Sequence, residues 1–384
     1  MNTPTLKIVE DLAEIPAAQW DALTEGDPFT SHAWLYALQA SGCATEAQGW
    51  LPQHLTMWQP GNQDGDRLVA AMPLYVKMNS YGEHVFDFAW ADAYQRNGLH
   101  YYPKLVCTVP FTPVSGRRLL ALPDEQAAWH RGLLLGSALR FARDIGVSSL
   151  HCLFLDEAEA QLAANNGMML RHDVQFHWHN AGYRDFEDYL AALSRDKRKR
   201  IRQDRRRVKD AGIELRCISG EDASEDDWAF FASCYAHTRV THHSPPALNE
   251  DFFRRIGRDL PQHMLLVIAY RAGKPIASAL NIVDGTTLYG RSWGSFEYHS
   301  GLHFEACFYQ AIEYCIARGI VTFEGGAGGE HKLARGFLPV TTTSAHWLAR
   351  PEFARAVEDY LQRETEAVAE YVYELQGHSP FRHG

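Results

Sequence analysis

The segment from Glu324 to Arg335 concentrates residues that can do acid–base chemistry in this chain of 384 residues. Glu324, Glu330 and His331 each carry a side chain that can take a proton from a reacting group, directly or through water. Glu324 ends a predicted buried strand, and the other two residues follow it. Polar residues at the end of a core strand are typical of a site. The alternative interpretation is a tight turn with a surface Glu-His-Lys sequence, and Glu324 is expected to be half structural.

The same segment can also stabilise negative charge. Lys332 and Arg335 can hold an acidic group of a substrate. A run of five residues, 325–329, can present backbone N–H groups to an oxyanion or a phosphate. The glycines of this run that we expect to bind an anion are Gly326, Gly328 and Gly329.

A second group of candidates precedes this segment. Arg291, Trp293, Glu297 and His303 lie at the end of a predicted strand and the start of a predicted helix. They are candidates for binding a substrate. The alternative is that Trp293 belongs to the core and that Arg291 is an ion-pair partner.

A third group lies in the first half of the chain. Asp87 and Asp92 stand among aromatic residues that include Tyr94 and Tyr101. Carboxylates among aromatic rings suit recognition of an amine or a sugar-like acceptor. The alternative is a structural insertion.

Basic charge is concentrated in one block. Ten basic and two acidic residues between positions 195 and 209 give this block a charge of +8, which leaves −18 on the rest of a chain whose net charge is −10. Arg205 and Arg206 are the candidates for binding phosphates of a nucleotide, a tRNA or a lipid head group. The alternative is a solvated helix balanced by an acidic body. No DNA-binding module surrounds the block, so DNA is not an expected partner.

Other classes of chemistry find little support. The histidine pairs lack nearby cysteines or acids at zinc-site spacing, so no metal is expected. Cys307 and Cys315 fall on the predicted buried side of a helix, which disfavours a cysteine nucleophile. No window approaches about 18 consecutive apolar residues, and no secretory signal is visible, so we expect a cytoplasmic protein without a membrane span.

Local patterns in the second half predict the elements that position these groups. Three β-rich runs separated by turns, Met264–Tyr270, Pro275–Val283 and Thr286–Trp293, predict an antiparallel meander. An apolar stripe between Phe304 and Cys315 then predicts a helix, and Ile320–Glu324 predicts a further strand.

The first half repeats the same order. The predicted strands are His54–Gln59, Arg67–Lys77 and His84–Trp90, followed by a helix from Ala127 to Ile145 and a strand from Val147 to Leu155. The order of three strands, helix and strand therefore occurs twice, although the two halves share little identity. Residues 91–122 are additional in the first half.

Domain boundaries follow from this repeat. We expect an N-terminal domain at residues 1–175 and a C-terminal domain at residues 176–384. The second domain begins with a basic helix at 186–211 and ends with a helix at 351–376, which Pro351 opens.

The repeat and several short runs resemble a known family. Three meander strands, a central helix and a following strand, present twice, resemble tandem GNAT acyltransferase domains, and the chain is similar to the FemAB-like family of predicted bacterial N-acyltransferases. The resembling runs are FDFAWADAY at 86–94, YYPKL at 101–105, VPFTPVSGRRL at 109–119, LYGRSWG at 288–294, LHFEACFYQAIEY at 302–314 and FEGGAGGEHKLARGFLP at 323–339.

This resemblance implies an α+β fold of two GNAT-like domains and a transferase activity. Acyl transfer to an amine requires a base, donors for the carbonyl oxygen and alignment of two substrates. The donor would be acyl-CoA-like or, in a FemAB-type enzyme, aminoacyl-tRNA, which the basic block would bind. An alternative of another class is a non-catalytic ligand-binding protein on the same scaffold.

Overall fold

A computed structural model describes residues 4–61 and 65–382, without the side chains of Ala327 and Glu330. The chain divides into two compact units. Unit 1 comprises Met1–Asp173 and Thr342–Ala369, and unit 2 comprises Val174–Thr341 and Glu370–Gly384. The expected domains were 1–175 and 176–384, so the segment Thr342–Ala369 packs with the unit that precedes it in sequence rather than with its own half.

Strands occur in both units. They are β1 (Thr5–Val9), β2 (Trp50–Pro52), β3 (His54–Gln59), β4 (Arg67–Met72), β5 (Leu74–Lys77), β6 (Lys104–Cys107), β7 (Leu120–Ala121), β8 (Ser149–Leu155), β9 (Met169–His179), β10 (Ile213–Ser219), β11 (Met264–Arg271), β12 (Lys274–Asp284), β13 (Thr287–Ser295), β14 (Thr322–Ala327) and β15 (Leu338–Leu348).

Helices alternate with these strands. They are α1 (Ala17–Asp21), α2 (His32–Ala40), α3 (Phe88–Arg96), α4 (Ala127–Asp144), α5 (Glu157–Asn165), α6 (Phe186–Ala192), α7 (Arg195–Asp210), α8 (Glu225–Thr241), α9 (Glu250–Asp259), α10 (Leu302–Phe304), α11 (Gln310–Arg318) and α12 (Pro351–Gly377). A π-helical turn, Glu305–Tyr309, joins α10 to α11, and a 3₁₀ helix spans Glu330–Arg335. Among the described residues, no helix is both long and apolar enough to cross a membrane.

Unit 1 contains two groups of strands that share one broken hairpin. One sheet has the order β1-β3-β4-β7, and the other group has the order β15-β8-β6-β5-β2. Each strand of this hairpin is interrupted at a proline. Pro52 ends β2 just before β3 begins, and Pro73 separates β4 from β5. Proline has no N–H to donate to a neighbouring strand. The hairpin β3–β4 therefore continues into the second group as β2–β5.

Unit 2 is built on a meander. Strands β10, β11, β12 and β13 pair antiparallel in sequence order, and β14 then pairs parallel to β13 and antiparallel to β9. The helical segment from Leu302 to Arg318 connects β13 to β14. The predicted order of three strands, helix and strand is therefore present in this unit.

Unit 1 contains the same order of three strands, helix and strand, but its third strand is not the predicted one. The third strand is β6, which pairs parallel to β8 after helix α4, as β13 pairs with β14. The predicted third strand, His84–Trp90, is wrong, because this segment leads into α3. Trp90 and Tyr94 are four residues apart on one face of α3 and pack in a core cluster with Tyr101, so helical packing determines the local structure.

The central helix of unit 2 differs from the predicted stripe at its start. Phe308, Ile312 and Cys315 are buried as expected, but Phe304 and Cys307 are only partly buried. The π-helical turn adds a residue to one turn, which rotates the preceding positions relative to the core. Glu305, which lies off the predicted apolar stripe, is consequently buried.

The basic block also differs in detail from a single helix at 186–211. It consists of α6 and α7, which Leu193 and Ser194 separate. Ile201, Asp204 and Val208 face the protein, while most of the basic side chains of α7 are exposed.

Candidate active site

An opening between two parallel strands defines the candidate site in unit 2. Strands β13 and β14 pair at only three positions, from Thr287 opposite Thr322 to Tyr289 opposite Glu324. Beyond these, β13 continues to Ser295 beside β12, and β14 continues to Ala327 beside β9. The two strands therefore separate after Glu324. Backbone groups on a strand edge can pair with a substrate amide as another strand would.

Glu324 lies where the strands separate. Its side chain is 13% exposed, and its Oε1 lies 3.9 Å from Nδ1 of His177. Burial raises the pKa of Glu324 to about 7, and the positive charge of Arg291 opposes this increase. A carboxyl group with a pKa near neutral pH can both accept and release a proton, which is the property of a general base.

His177 is a site residue that the sequence did not indicate. It lies on β9, directly opposite Glu324 in the antiparallel pair. Burial, together with nearby His179 and Lys332, lowers its pKa to about 4, so the imidazole is neutral at pH 7. Because 147 positions separate the two residues, only the sheet register reveals this neighbour.

The second predicted group is only partly brought together. Burial lowers the pKa of Arg291 to about 10 despite the opposing effect of Glu324, so the guanidinium remains charged beside that carboxyl. Trp293 is partly buried, and its ring lies 5.5 Å from the ring of His303. Glu297, by contrast, pairs with Arg271 at 2.9 Å and with His299 at 2.8 Å. Its carboxylate is therefore occupied by protein partners.

Two accessible imidazoles lie near each other at the start of the central helix. The ring centroids of His303 and His331 are 6.5 Å apart, and the ring of Phe308 lies within 6.0 Å of both. Desolvation and then the charges of His331, Arg335 and Lys332 lower the pKa of His303 to about 4. Desolvation, Lys332 and Arg335 also lower the pKa of His331. Both rings are neutral at pH 7 and can accept a proton.

The glycine-rich loop needs its glycines for conformation. Gly326, Gly328 and Gly329 have φ angles of +74°, +73° and +91°, which side chains rarely adopt. A Cβ on Gly329 would lie 2.3 Å from the His331 ring, so glycine also lets the ring pack there. Binding of an anion by this loop stays a prediction, and the side chain of Glu330 lies outside the described residues.

Lys332 and Arg335 face the protein interior. Lys332 is buried, donates a hydrogen bond to the Gly326 carbonyl at 3.1 Å, and has a pKa lowered to about 8 by burial. Arg335 is 3% exposed and donates to Tyr309, His331 and Asp204. This arrangement does not favour the expected role of Arg335 in holding a substrate acid.

The two phosphate-binding candidates on α7, Arg205 and Arg206, differ in whether their guanidinium groups are accessible. Arg205 pairs with Glu305 at 3.2 Å and with Glu313 at 2.8 Å, so two carboxylates of the protein occupy its guanidinium. Arg206 is exposed. Nearby Arg207 donates to the Ser300 hydroxyl at 3.4 Å, which places the end of α7 beside the loop that precedes the central helix.

The third predicted group lies in unit 1 and is largely inaccessible. Asp87 accepts hydrogen bonds from Lys104 and, at 2.6 Å, from Tyr101, and all three side chains are buried. Tyr94 is also buried, whereas Asp92 is exposed and paired with Arg96. Their placement favours the structural alternative for this group.

Residues 290–294 match the sequence motif of a serine nucleophile. They read Gly-Arg-Ser-Trp-Gly, the Gly-x-Ser-x-Gly pattern of serine hydrolases. That pattern requires a sharp turn between a strand and a helix. Here Ser292 lies within β13 and pairs with Leu280 of β12, so the required turn is missing. Within the described part of the chain, no group of three acidic, His or Cys side chains is arranged to hold a metal ion.

Comparisons with solved structures show the same fold at low identity. FemX has a TM-score of 0.53 and 12% identity, covering 90% of this chain and 98% of that chain. The C-terminal domain of a protein named as a lysylphosphatidylglycerol synthetase from Agrobacterium fabrum has a TM-score of 0.50 and 10% identity, covering 91% and 96%. A protein from Bacteroides thetaiotaomicron has a TM-score of 0.51 and 9% identity, covering 89% and 99%. The expected α+β class is confirmed.

Sequence comparison identifies the family. Among curated proteins, no sequence matches the chain. A family model described as peptidoglycan biosynthesis/recognition matches residues 11–383. This match extends over nearly the whole sequence and agrees with the resemblance of the short runs. The chain therefore belongs to the FemAB-like family.

Proposed function

We propose that this protein is an N-acyltransferase that moves an acyl or aminoacyl group from an activated donor to an amine. The observation that carries this proposal is the opening between β13 and β14, with Glu324 where the strands separate. The pKa of this carboxyl, about 7, suits a base that works near neutral pH. The family and the GNAT-like fold support a transferase of the acyl-transfer type.

The proposed reaction proceeds by direct attack. The amine nitrogen forms a bond to the acyl carbonyl carbon, and Glu324 accepts the proton that the nitrogen loses, directly or through water. The bond between the carbonyl carbon and the leaving group then breaks, and the leaving group takes a proton. No covalent intermediate with the protein forms.

Charge on the carbonyl oxygen requires stabilisation during this step. The glycine-rich loop at 325–329 supplies backbone N–H groups for this purpose, and Lys332 donates to the Gly326 carbonyl and so supports the loop. His331 is the second candidate for proton transfer, because its ring is accessible and neutral. Glu324 and His331 are distinguishable by mutation, since they lie on different elements.

A specific observation favours aminoacyl-tRNA over acyl-CoA as donor. The exposed residues Arg195, Lys199, Arg202, Arg206 and Lys209 alternate at spacings of four and three, which aligns them on one face of α7. At 1.5 Å per residue this row is about 21 Å long. Within the described residues, Glu187 pairs with Arg202, and the other four cations form no ion pair. A row of this length suits several consecutive phosphates.

The test is a transfer assay with defined donors. Purified protein is incubated with acetyl-CoA, a long-chain acyl-CoA or a charged tRNA mixture, together with a panel of amines, and products are identified by mass spectrometry. We expect transfer by the natural protein and loss of transfer by Glu324→Gln. The matched control is Glu214→Gln, at an exposed position on β10. Binding of donors without any transfer would instead support the non-catalytic alternative.

A further inference from the structure

Arg335 occupies an unusual position for an arginine in unit 2. It is 3% exposed and uses three nitrogens on three different partners. Nε donates to the Tyr309 hydroxyl at 2.9 Å, Nη1 donates to the His331 carbonyl at 2.7 Å, and Nη2 donates to Oδ2 of Asp204 at 3.2 Å. The guanidinium is therefore fixed in both position and rotation.

The partners of Arg335 belong to separate elements. Asp204 lies on the inner face of the basic helix α7, and Tyr309 belongs to the π-helical turn. The Tyr309 hydroxyl donates to the same Asp204 oxygen at 2.9 Å, which closes the network. Tyr189 on α6 donates to the Arg335 carbonyl at 2.9 Å. Through its side chain and its carbonyl, Arg335 thus ties the loop at 330–335 to three helical segments.

The network ends at the His331 imidazole. Besides holding the His331 carbonyl, the guanidinium of Arg335 lies 3.4 Å from the centroid of the Phe304 ring. The Phe304 ring in turn lies 5.8 Å from the His331 ring. Arg335 therefore fixes both the backbone of His331 and the aromatic surface against which its imidazole lies.

Stability alone does not account for such a network. A buried ion pair contributes little net stability, because removing two charges from water costs about as much as their attraction returns. A geometric role fits the contacts better, since the planar guanidinium offers donors in a fixed arrangement. The close approach of α7 to the central helix supports this view, because a Cβ on Gly301 would lie 2.9 Å from the Asp204 carbonyl oxygen.

We propose that Arg335 is a positioning residue that holds the His331 imidazole beside Phe304 and Phe308 of the central helical segment, and that Asp204 sets the distance from His331 to the cationic row on α7. A donor whose phosphates bind that row would then present its acyl group at a fixed place relative to the imidazole. This inference rests on the proposed function. Arg335 was expected to hold an acidic group of a substrate, whereas in this proposal it holds the loop at 330–335.

The test uses the full chain and the variants Arg335→Lys and Asp204→Asn. Lysine retains a charge for Asp204 but lacks the planar group that reaches Tyr309 and the His331 carbonyl together. We expect Arg335→Lys to lower kcat at least tenfold with KM for both substrates within threefold. Arg258→Gln, which breaks an exposed pair with Asp259, is the matched control and keeps its activity. A kcat for Arg335→Lys within twofold of the natural protein would overturn the inference.

A second measurement does not depend on activity. The titratable groups that face His331 are His303, Lys332 and Arg335. NMR titration of the His331 ring should show an upward change of its pKa in Arg335→Gln and new chemical shifts in Arg335→Lys and Asp204→Asn. Unchanged His331 resonances in all three folded variants would overturn the inference even if no donor supports transfer, whereas changed resonances without transfer would contradict only the proposed function.

Discussion

The parallel strand pair of unit 1 is closed by the chain itself, whereas that of unit 2 remains open. In unit 1, β6 pairs with β8 only as far as Cys107 opposite Cys152. Beyond Cys152, the segment around Gly116 lies along the edge of β8 in place of β6. The Gly116 N–H donates to the Phe154 carbonyl at 3.0 Å, and Gly116 forms a parallel bridge with Leu155. In unit 2 the corresponding strands separate after Tyr289 and Glu324.

Each unit also has a carboxyl group that invites comparison, on helix α5 in unit 1 and on β14 in unit 2. Glu159 in unit 1 and Glu324 in unit 2 both have pKa values raised to about 7, and burial is the main cause in each. Glu159 is 2% exposed and accepts from the backbone N–H groups of Arg118 and Leu119 at 2.8 and 2.9 Å. Glu324 is 13% exposed at the opening. A raised pKa therefore does not identify a catalytic carboxyl unless a substrate can reach it.

The largest expected effect follows from replacing each of these two carboxyl groups by an amide. Glu324→Gln should lower kcat by roughly 10² to 10⁴, because the amide cannot accept the proton of the amine. Steady-state kinetics on the best donor and amine would measure this. Glu159→Gln should retain kcat per folded molecule. Equal losses of kcat in the two variants would remove the distinction between the open and closed pairs.

A comparable effect in the loop would sharpen the assignment. His331→Ala should lower kcat by roughly 10² to 10⁴ if its ring transfers a proton, with an almost unchanged midpoint of thermal unfolding because the ring is exposed. Glu330→Gln should lower kcat by a similar factor if its carboxyl group is the base. Activity within about threefold of the natural protein in both variants would leave Glu324 as the base.

The free energy of unfolding should depend on Glu159, the buried carboxyl group on α5 of unit 1. Glu159→Ala leaves two buried backbone N–H groups without their carboxylate, so we expect a loss of about 2–5 kcal/mol in the free energy of unfolding. Urea denaturation followed by circular dichroism would measure it. Glu157→Ala, at an exposed position in the same helix, is the control. A loss below about 1 kcal/mol would show that Glu159 does not hold the segment in place.

Changing the pH should give a smaller effect, because a rise in pH should increase activity through Glu324 and decrease stability through Glu159. Because the pKa of Glu324 is raised, kcat/KM should rise with pH and level off above about pH 7. The raised pKa of Glu159 contributes stability that is fully present below about pH 4.5 and is lost as pH rises through about 7. The stability difference between the natural protein and Glu159→Gln should therefore decrease over that range. A difference independent of pH would contradict the assigned shift.

Salt dependence should give the smallest effect. Replacing Lys199 and Arg206 by glutamate should weaken binding of charged tRNA and reduce the slope of log affinity against log salt by about 2 or more, because at least two phosphate contacts are lost. Fluorescence anisotropy between 50 and 200 mM salt would measure this. The same change at Arg254 and Arg255, which pair with acids on their own helix, is the control. An unchanged slope would favour a solvated helix.

Periodicity predicted the second unit well because its elements are regular. The meander β11 to β13 and the buried side chains from Phe308 to Cys315 match the expected strands and stripe. The π-helical turn was not predictable, since one inserted residue leaves no mark in a 3.6-residue pattern. Its consequence is the burial of Glu305, which pairs with Arg205 on another helix.

The first unit shows where local patterns fail. The apolar and aromatic residues of 84–90 suited a strand, but no strand forms, and α3 begins at Phe88. Trp90 and Tyr94 of α3 pack in a core cluster with Tyr101 and residues of α12. Asp87 was a plausible ligand contact by type, yet it is buried beside Lys104. Residue type indicated that these side chains make polar interactions, and tertiary packing determined with which partners.

The sequence by itself determined the repeated order of strands and helix, the cationic block and the polar, glycine-rich loop after the last core strand, because each depends on residues close together in the chain. Only the tertiary structure decided which strand pair is open and which carboxyl can meet a substrate. Glu324 meets His177 across a sheet, and Glu159 meets Arg118 across 41 positions. Desolvation and access depend on such distant partners, and no local pattern of residues contains them.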